Sequence, residues 1–246
     1  TPDFQGGIKF YHLTLDRRVQ EKVHSLFRDL HGSFLLMKVD DSGIAAAYSK
    51  PGSSVPGSAN PVFSEAYEPG SIIKLLTLLT YLKSSSDEIF PLQCEGKWTI
   101  DPKSREVFYD WMVHHRVASC EEALAVSCNI AFAKMGIQVG FGMLSEILRQ
   151  FYFNSDSRAL SDLFLSFKTG SFSAGIPPTA LSRLAHLSVG LKEISITTFH
   201  AALLSAIISQ DGSIYAPYLV KNKKNLLNLA FYNHPPRLME ILKANT

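Results

Sequence analysis

Nothing in this sequence is apolar enough over a long enough run, or charged enough in one sign, to commit it to a bilayer or a polyanion. The formal net charge is only +2, so there is no strong field to gather nucleic acid or to hold a membrane surface. The longest apolar stretches, 75–82 and 201–208, are interrupted and far shorter than the ~20 residues that span a bilayer. No export leader is visible at Thr1, which fits either a removed segment or an excerpt of a longer chain. Cysteine is scarce: Cys94, Cys120 and Cys128 are odd in number and have no metal-like spacing. They are expected to pack as small buried apolar residues and leave the compartment open. None of the eight histidines forms a helical ligand pair, and the adjacent His114 and His115 would point different ways, so no metal site is expected. What remains is an ordinary globular composition, 46% hydrophobic and 19% charged over 246 residues, enough for a sizeable core.

Apolar residues Val19, Val23, Leu26, Phe27 and Leu30 recur at helical spacing and predict a helix over 15–30, stopped at His31-Gly32. A hairpin follows, with strands over 34–39 and 44–48 joined by Asp40-Asp41-Ser42-Gly43. Residues 50–62 read as a Gly/Ser/Pro-rich loop. The clearest helix runs from Ser71 to about Lys83 behind Pro69-Gly70. Ser119-Cys120-Glu121-Glu122 is a capping box for a helix that should break near Ser127. Further helices are expected over 130–138, 142–151, 179–188 and 197–209, with an extended run over 215–221 and a short helix after Pro235-Pro236.

Chemistry enters at Ser71-Ile72-Ile73-Lys74. A serine hydroxyl is a weak nucleophile until a base takes its proton. Residues three apart on a helix lie about 5–6 Å apart on one face, so the lysine head can return to the hydroxyl. Burial and the positive end of a helix both lower a lysine's pKa and let it act as that base. The other reading of these four residues is an N-capping serine with a solvated lysine. A second piece, Ser127-Cys128-Asn129, falls at the expected helix break. There Ser127 can relay a proton and Asn129 offers both donor and acceptor to a peptide-like ligand. Both can equally serve as caps. Ser58-Ala59-Asn60 matches the same pattern in a loop.

Taken in order, these pieces resemble the transpeptidase domain of the penicillin-binding proteins, in the serine β-lactamase-like superfamily. Leu13 to Gln20 resembles its opening, with Thr14, Asp16 and Gln20 matching a threonine–aspartate–glutamine signature. Gly43 to Pro51 resembles the second strand and the stretch after it, and Glu68 to Leu76 the active-serine motif. Ala123 to Ala131 is similar to the second motif, and Gly190 to Pro217 to a later helix with a Thr-rich start. The resemblance implies an α+β fold, a helix cluster packed on an antiparallel sheet that is incomplete here, as a single domain over 1–246. It implies Ser71 as nucleophile, Lys74 as base, Ser127 as proton relay and Asn129 as holder of the substrate amide. The implied partners are the D-Ala-D-Ala end of a peptidoglycan stem peptide and the β-lactams that mimic it. No cofactor and no metal are implied, and the parent would be membrane-anchored with an extracytoplasmic working face.

The family's third motif, Lys-Thr/Ser-Gly, is expected after the Gly190–Pro217 segment, where the chain stops at Thr246. Lys168-Thr169-Gly170 fits the letters but precedes that segment, and its neighbours from Phe167 to Pro178 resemble a family loop. An excerpt, a natural variant without the strand, or strands from a partner would each account for this. A β-lactamase would need a water-activating carboxylate, for which Asp156 and Asp162 are the candidates. A non-catalytic relative that binds wall peptides or partner proteins is the alternative outside enzymology.

Overall fold

The computed structural model describes residues 12–50, 60–84, 89–102, 105–155, 167–210, 213–215, 217–219, 221 and 226–228. Helix α1 (Arg17–Phe27) starts where the Asp16 carboxylate accepts from the N–H groups of Arg18 and Val19. Strands β1 (Gly32–Met37) and β2 (Ile44–Lys50) form the expected antiparallel hairpin, with Phe34 opposite Tyr48. The opening signature has a structural role in fastening α1 to this hairpin. Thr14 Oγ1 donates to Ile44 O at 2.7 Å, and the Gln20 amide exchanges two hydrogen bonds with Ala47, at 2.8 and 3.1 Å. A side-chain amide thus satisfies backbone groups at the free edge of β2, which would otherwise seek another strand. Leu26 and Leu30, expected on the packed face, are 63% and 56% exposed, because Gln20, Val23 and Phe27 make the contact with the sheet instead.

The segment read as a loop ends in a short helix, α2 (Pro61–Ser64), where Val62 N–H donates to the Asn60 side-chain oxygen and Phe63 N–H to the Asn60 carbonyl. That capping settles Asn60 as a structural residue, while Ser58 lies outside the described residues. Strand β3 (Ala66–Tyr67) leads to a 3₁₀ turn, Gly70–Ile73, which runs into α3 (Lys74–Lys83). Four short strands that the apolar pattern does not announce follow: β4 (Leu92–Cys94), β5 (Lys97–Asp101), β6 (Glu106–Tyr109) and β7 (His115–Val117). They pair antiparallel as β4–β7 and β5–β6. Helix α4 (Cys120–Ala125) precedes α5 (Asn129–Gln150), whose backbone leaves the helical region at Gly140 (φ 77°, ψ 164°), so that it is two helical stretches joined at a kink, as the two helices expected over 130–138 and 142–151 require.

Strand β8 (Ser171–Phe172), helix α6 (Leu181–Ser188), strand β9 (Ile194–Thr197) and helix α7 (Thr198–Ser209) complete the middle of the fold. Strands β3, β9 and β8 make a three-stranded sheet in that order. Strands β10 (Ser213–Tyr215) and β11 (Leu226–Asn228) pair antiparallel. The short helix expected after Pro235-Pro236 lies outside the described residues. The hairpin packs between α1 and α7, and α5 packs between α3 and α6. Helix α5 has the length and hydropathy of a bilayer span, yet 56% of that window is buried in the protein, as a core helix requires. Phe132, Met135, Leu144 and Leu148 are among its fully buried side chains, each contributing ~1.5–3 kcal/mol by burial. This layer sets α3 and the start of α5 side by side, which positions the site.

Candidate active site

The corner carrying Ser127 is built by the end of α4. Ser119 Oγ accepts from Glu122 N–H at 3.3 Å, and Glu122 reaches back to Ala118 N–H at 2.6 Å, one residue beyond the expected capping-box partner. At the other end, Ser127 N–H donates to Leu124 O and Cys128 N–H to Ala123 O, the paired bonds of a Schellman motif. That motif needs a left-handed residue, and Ser127 supplies it at φ 52°. Glycine adopts this conformation freely, whereas a residue with a Cβ is strained there by ~1–2 kcal/mol. Such strain persists when surrounding bonds over-determine it, and it concentrates at working sites. The reversal turns Ser127 and Asn129 to the same side, towards α3.

The 3₁₀ turn holding Ser71 is fixed from the opposite wall. Gly70 N–H donates to Gly190 O at 2.9 Å, and Glu68 Oε1 accepts from Lys192 N–H at 2.8 Å. The two backbones touch: a Cβ added to Gly190 would lie 2.0 Å from Gly70 O, and Gly190 itself sits at φ 80°. Only glycine fits there. Ser71 is exposed at the surface of this turn, while Lys74, one turn on, is 1% exposed.

Three hydrogen bonds hold the Lys74 amine: to Ser127 O at 2.7 Å, to Ser127 Oγ at 2.9 Å and to Asn129 Oδ1 at 2.6 Å. Ser71 Oγ lies 3.0 Å from Ser127 Oγ. The link from the Ser71 hydroxyl to the Lys74 amine therefore passes through Ser127, where the i to i+3 spacing alone suggests a direct contact. Burial pushes the Lys74 amine down to about 8, against the pull of the Asp110 carboxylate and Cys128, which favour its charged form. Near neutrality the amine can thus exchange a proton. With Asn129 Oδ1 turned to the lysine, its NH₂ group is left to donate to a ligand. A cleft of about 300 Å³ opens over Ser71, Ser127 and Asn129, walled by Gly70, Trp111 and Leu191. That volume is at the small end of ligand pockets and suits a short peptide end.

All four residues singled out by motif, Ser71, Lys74, Ser127 and Asn129, meet in this one place. Sequence reading misses Trp111, whose indole N–H donates to Ser127 O at 3.3 Å, and Gly190. A lone Trp in a segment without clear periodicity gives no signal, and a glycine's close approach is a tertiary fact. Lys168-Thr169-Gly170 lies elsewhere in its bonding: Lys168 N–H donates to Phe63 O, Thr169 Oγ1 to Ser155 O, and Gly170 N–H to His200 Nδ1. It lies in the irregular stretch that leads directly into β8. Asp156 and Asp162 lie outside the described residues.

The sequence profile of the penicillin binding protein transpeptidase domain matches residues 32–241. Peptidoglycan D,D-transpeptidase PbpA of Mycolicibacterium smegmatis is 26% identical over 169 residues, 67% of this chain and 33% of that protein. Its counterpart in Mycobacterium tuberculosis is 28% identical over the same shares. The chain thus spans about a third of the length of these curated relatives. Among solved structures, penicillin-binding protein A from M. tuberculosis, as an imipenem acyl-enzyme complex, superposes with a TM-score of 0.80 at 21% identity, covering 95% of this chain and 62% of that one. Penicillin-binding protein PBP2 from Helicobacter pylori does so at 0.76 and 19% identity, covering 96% and 49%. At these identities the superpositions speak for the fold, a mixed α+β arrangement of helices and antiparallel sheets. With the profile spanning most of its length, the chain belongs to the penicillin-binding protein transpeptidase domain family.

Proposed function

We propose that this chain carries the acylating half of a D,D-transpeptidase that cross-links peptidoglycan stem peptides. The observation that supports it is the unbroken hydrogen-bonded series Ser71 Oγ, Ser127 Oγ, Lys74 Nζ. With the amine neutral, the Ser71 hydroxyl proton passes to Ser127 as the Ser127 proton passes to Lys74, and Ser71 Oγ attacks the penultimate D-Ala carbonyl. The first-turn N–H of Ser71, unpaired within its own turn, donates to the developing oxyanion. Collapse breaks the C–N bond, and the proton held on Lys74 returns through Ser127 to the departing D-Ala amine. The acyl group stays on Ser71 as an ester until a second stem peptide's amine, or water, takes it. A β-lactam follows the same path to the ester, its ring nitrogen taking the proton without leaving. The working location that goes with this reading is extracytoplasmic, on a membrane-anchored parent.

A pocket kept only to bind wall peptides or partners gives no reason to bury a lysine against three acceptors, or to hold Ser127 in a strained conformation. The test is covalent: incubate the folded chain with a penicillin and weigh the intact protein. One adduct per chain is expected on wild type, and none on Ser71→Ala. An adduct that survives Ser71→Ala, or none on folded wild type after prolonged exposure, overturns the reading.

A further inference from the structure

Behind the Ser127–Asn129 corner, four side chains from three separate pieces of chain converge on one point. Cys94 comes from the end of β4, Asp110 from just after β6, His114 from just before β7, and Cys128 from the N-cap of α5. One ligand atom from each lies within 4.8 Å of all the others. Asp110 Oδ2 lies 3.4 Å from Cys94 Sγ and 3.1 Å from Cys128 Sγ, and Asp110 Oδ1 lies 3.5 Å from His114 Nε2. Zinc bonds of ~2.0–2.3 Å in a tetrahedron imply ligand-to-ligand edges of about 3.3–3.8 Å, so the two thiols already stand near that spacing from Oδ2, and the remaining ligands lie within the 4.8 Å that a small closure on the ion brings in.

Hydrogen bonding alone accounts for part of the cluster. Both thiols can donate to Asp110 Oδ2, which also accepts from Ile130 N–H at 3.0 Å. It does not account for His114. Its side chain is 4% exposed, and Nε2 has no hydrogen-bond partner although it faces the carboxylate. A buried polar nitrogen left unpaired carries a desolvation penalty that proteins rarely leave standing. Two sulfurs, an imidazole nitrogen and a carboxylate oxygen aimed at one buried point are the donor set of a borderline-soft divalent ion.

We infer that Cys94, Asp110, His114 and Cys128 form a closed, tetrahedral zinc site that fastens the β4–β7 and β5–β6 strand pairs to the start of α5. Binding exchanges the two thiol protons for the ion: two S–H bonds break, two Zn–S bonds form, and two protons leave to solvent. With neutral His114 and ionised Asp110 the assembly carries a single negative charge. Four protein ligands leave no open position, so the role is structural. Its consequence for the neighbouring site is direct. Cys128 stands between Ser127 and Asn129, and the same 110–114 segment carries Trp111, which bonds Ser127 O. Short strand pairs of three to five residues are weak on their own, and the ion is what keeps them in register with the catalytic corner.

The test reads the metal itself and stands whether or not the chain acylates. Purify the full chain without a chelating tag under reducing conditions and measure metals by mass spectrometry; about one zinc per chain is expected. After exchange with Co²⁺, the visible bands of a tetrahedral cobalt thiolate should appear. Zinc content should fall to background in Cys94→Ser, Cys128→Ser and His114→Ala, and stay unchanged in Cys120→Ser, whose thiol donates to Glu121 outside the cluster. Wild type that binds neither zinc nor cobalt overturns the inference without recourse to any variant. So does a Cys94–Cys128 disulfide in the native protein, found by mass under non-reducing conditions.

Discussion

Replacing Ser127 by glycine and, separately, by alanine parts the conformational strain at that residue from its chemistry. Both changes remove Oγ, so both take away the same acceptor from Lys74 and the same neighbour from Ser71. They differ in the backbone. Alanine keeps the Cβ at φ 52°, at a strain of ~1–2 kcal/mol, while glycine is free of it. Glycine also loosens the unfolded chain, which removes ~0.4–1 kcal/mol of that advantage. Ser127→Gly should therefore be more stable than Ser127→Ala by about 1 kcal/mol, or about 2–4 °C in Tm for a chain of this size. Urea and thermal unfolding of the two variants side by side measure the difference. Penicillin adduct formation should slow about 10²–10⁴-fold in both, the usual contribution of a positioned proton-transfer group. Equal stability, or alanine the more stable, refutes the strained-corner account. Wild-type labelling in either variant refutes the relay.

The remaining predictions concern the amine, the turn and the back of the site. Because Lys74 accepts a proton only when neutral and its pKa is pushed down to about 8, the labelling rate should rise with pH and level off near 8. Below that it should fall about tenfold per pH unit; a flat profile from pH 6 to 9 excludes this amine as base. Gly190→Ala puts a Cβ into the Gly70 carbonyl, so it should lower stability by ~2–4 kcal/mol and abolish labelling, measured by urea unfolding and intact mass. His200 is fully buried, its Nδ1 accepting from Gly170 N–H and its Nε2–H donating to Phe151 O, and burial pushes its pKa down to about 4. The folded chain then binds fewer protons than the unfolded one between 6.5 and 4, so stability is present above 6.5 and lost as pH falls, by ~3 kcal/mol from this residue. Unfolding across that range in wild type and in His200→Gln should show the loss shrink in the variant.

What the sequence by itself determined is what depends on near neighbours. The Ser71–Lys74 spacing, the Ser119 cap, the β1–β2 turn and the break at Ser127 are all written within a few residues, so the site's four residues could be named from it. It did not show that Ser127 is left-handed, because the usual signal for that conformation is glycine and the residue is a serine. Nor did it show the strands over 92–117, whose runs of three to five residues are too short for a period of two to register. Tertiary structure alone decided the depth at which Lys74 is buried, and so its readiness to act as a base, since that depends on α5 lying against α3. It alone decided the closeness of Gly190 to Gly70, and that Cys94, Asp110, His114 and Cys128 share a point. These four are 16, 4 and 14 residues apart along the chain, and spacing carries no information about ligands that separate strands and a helix bring together.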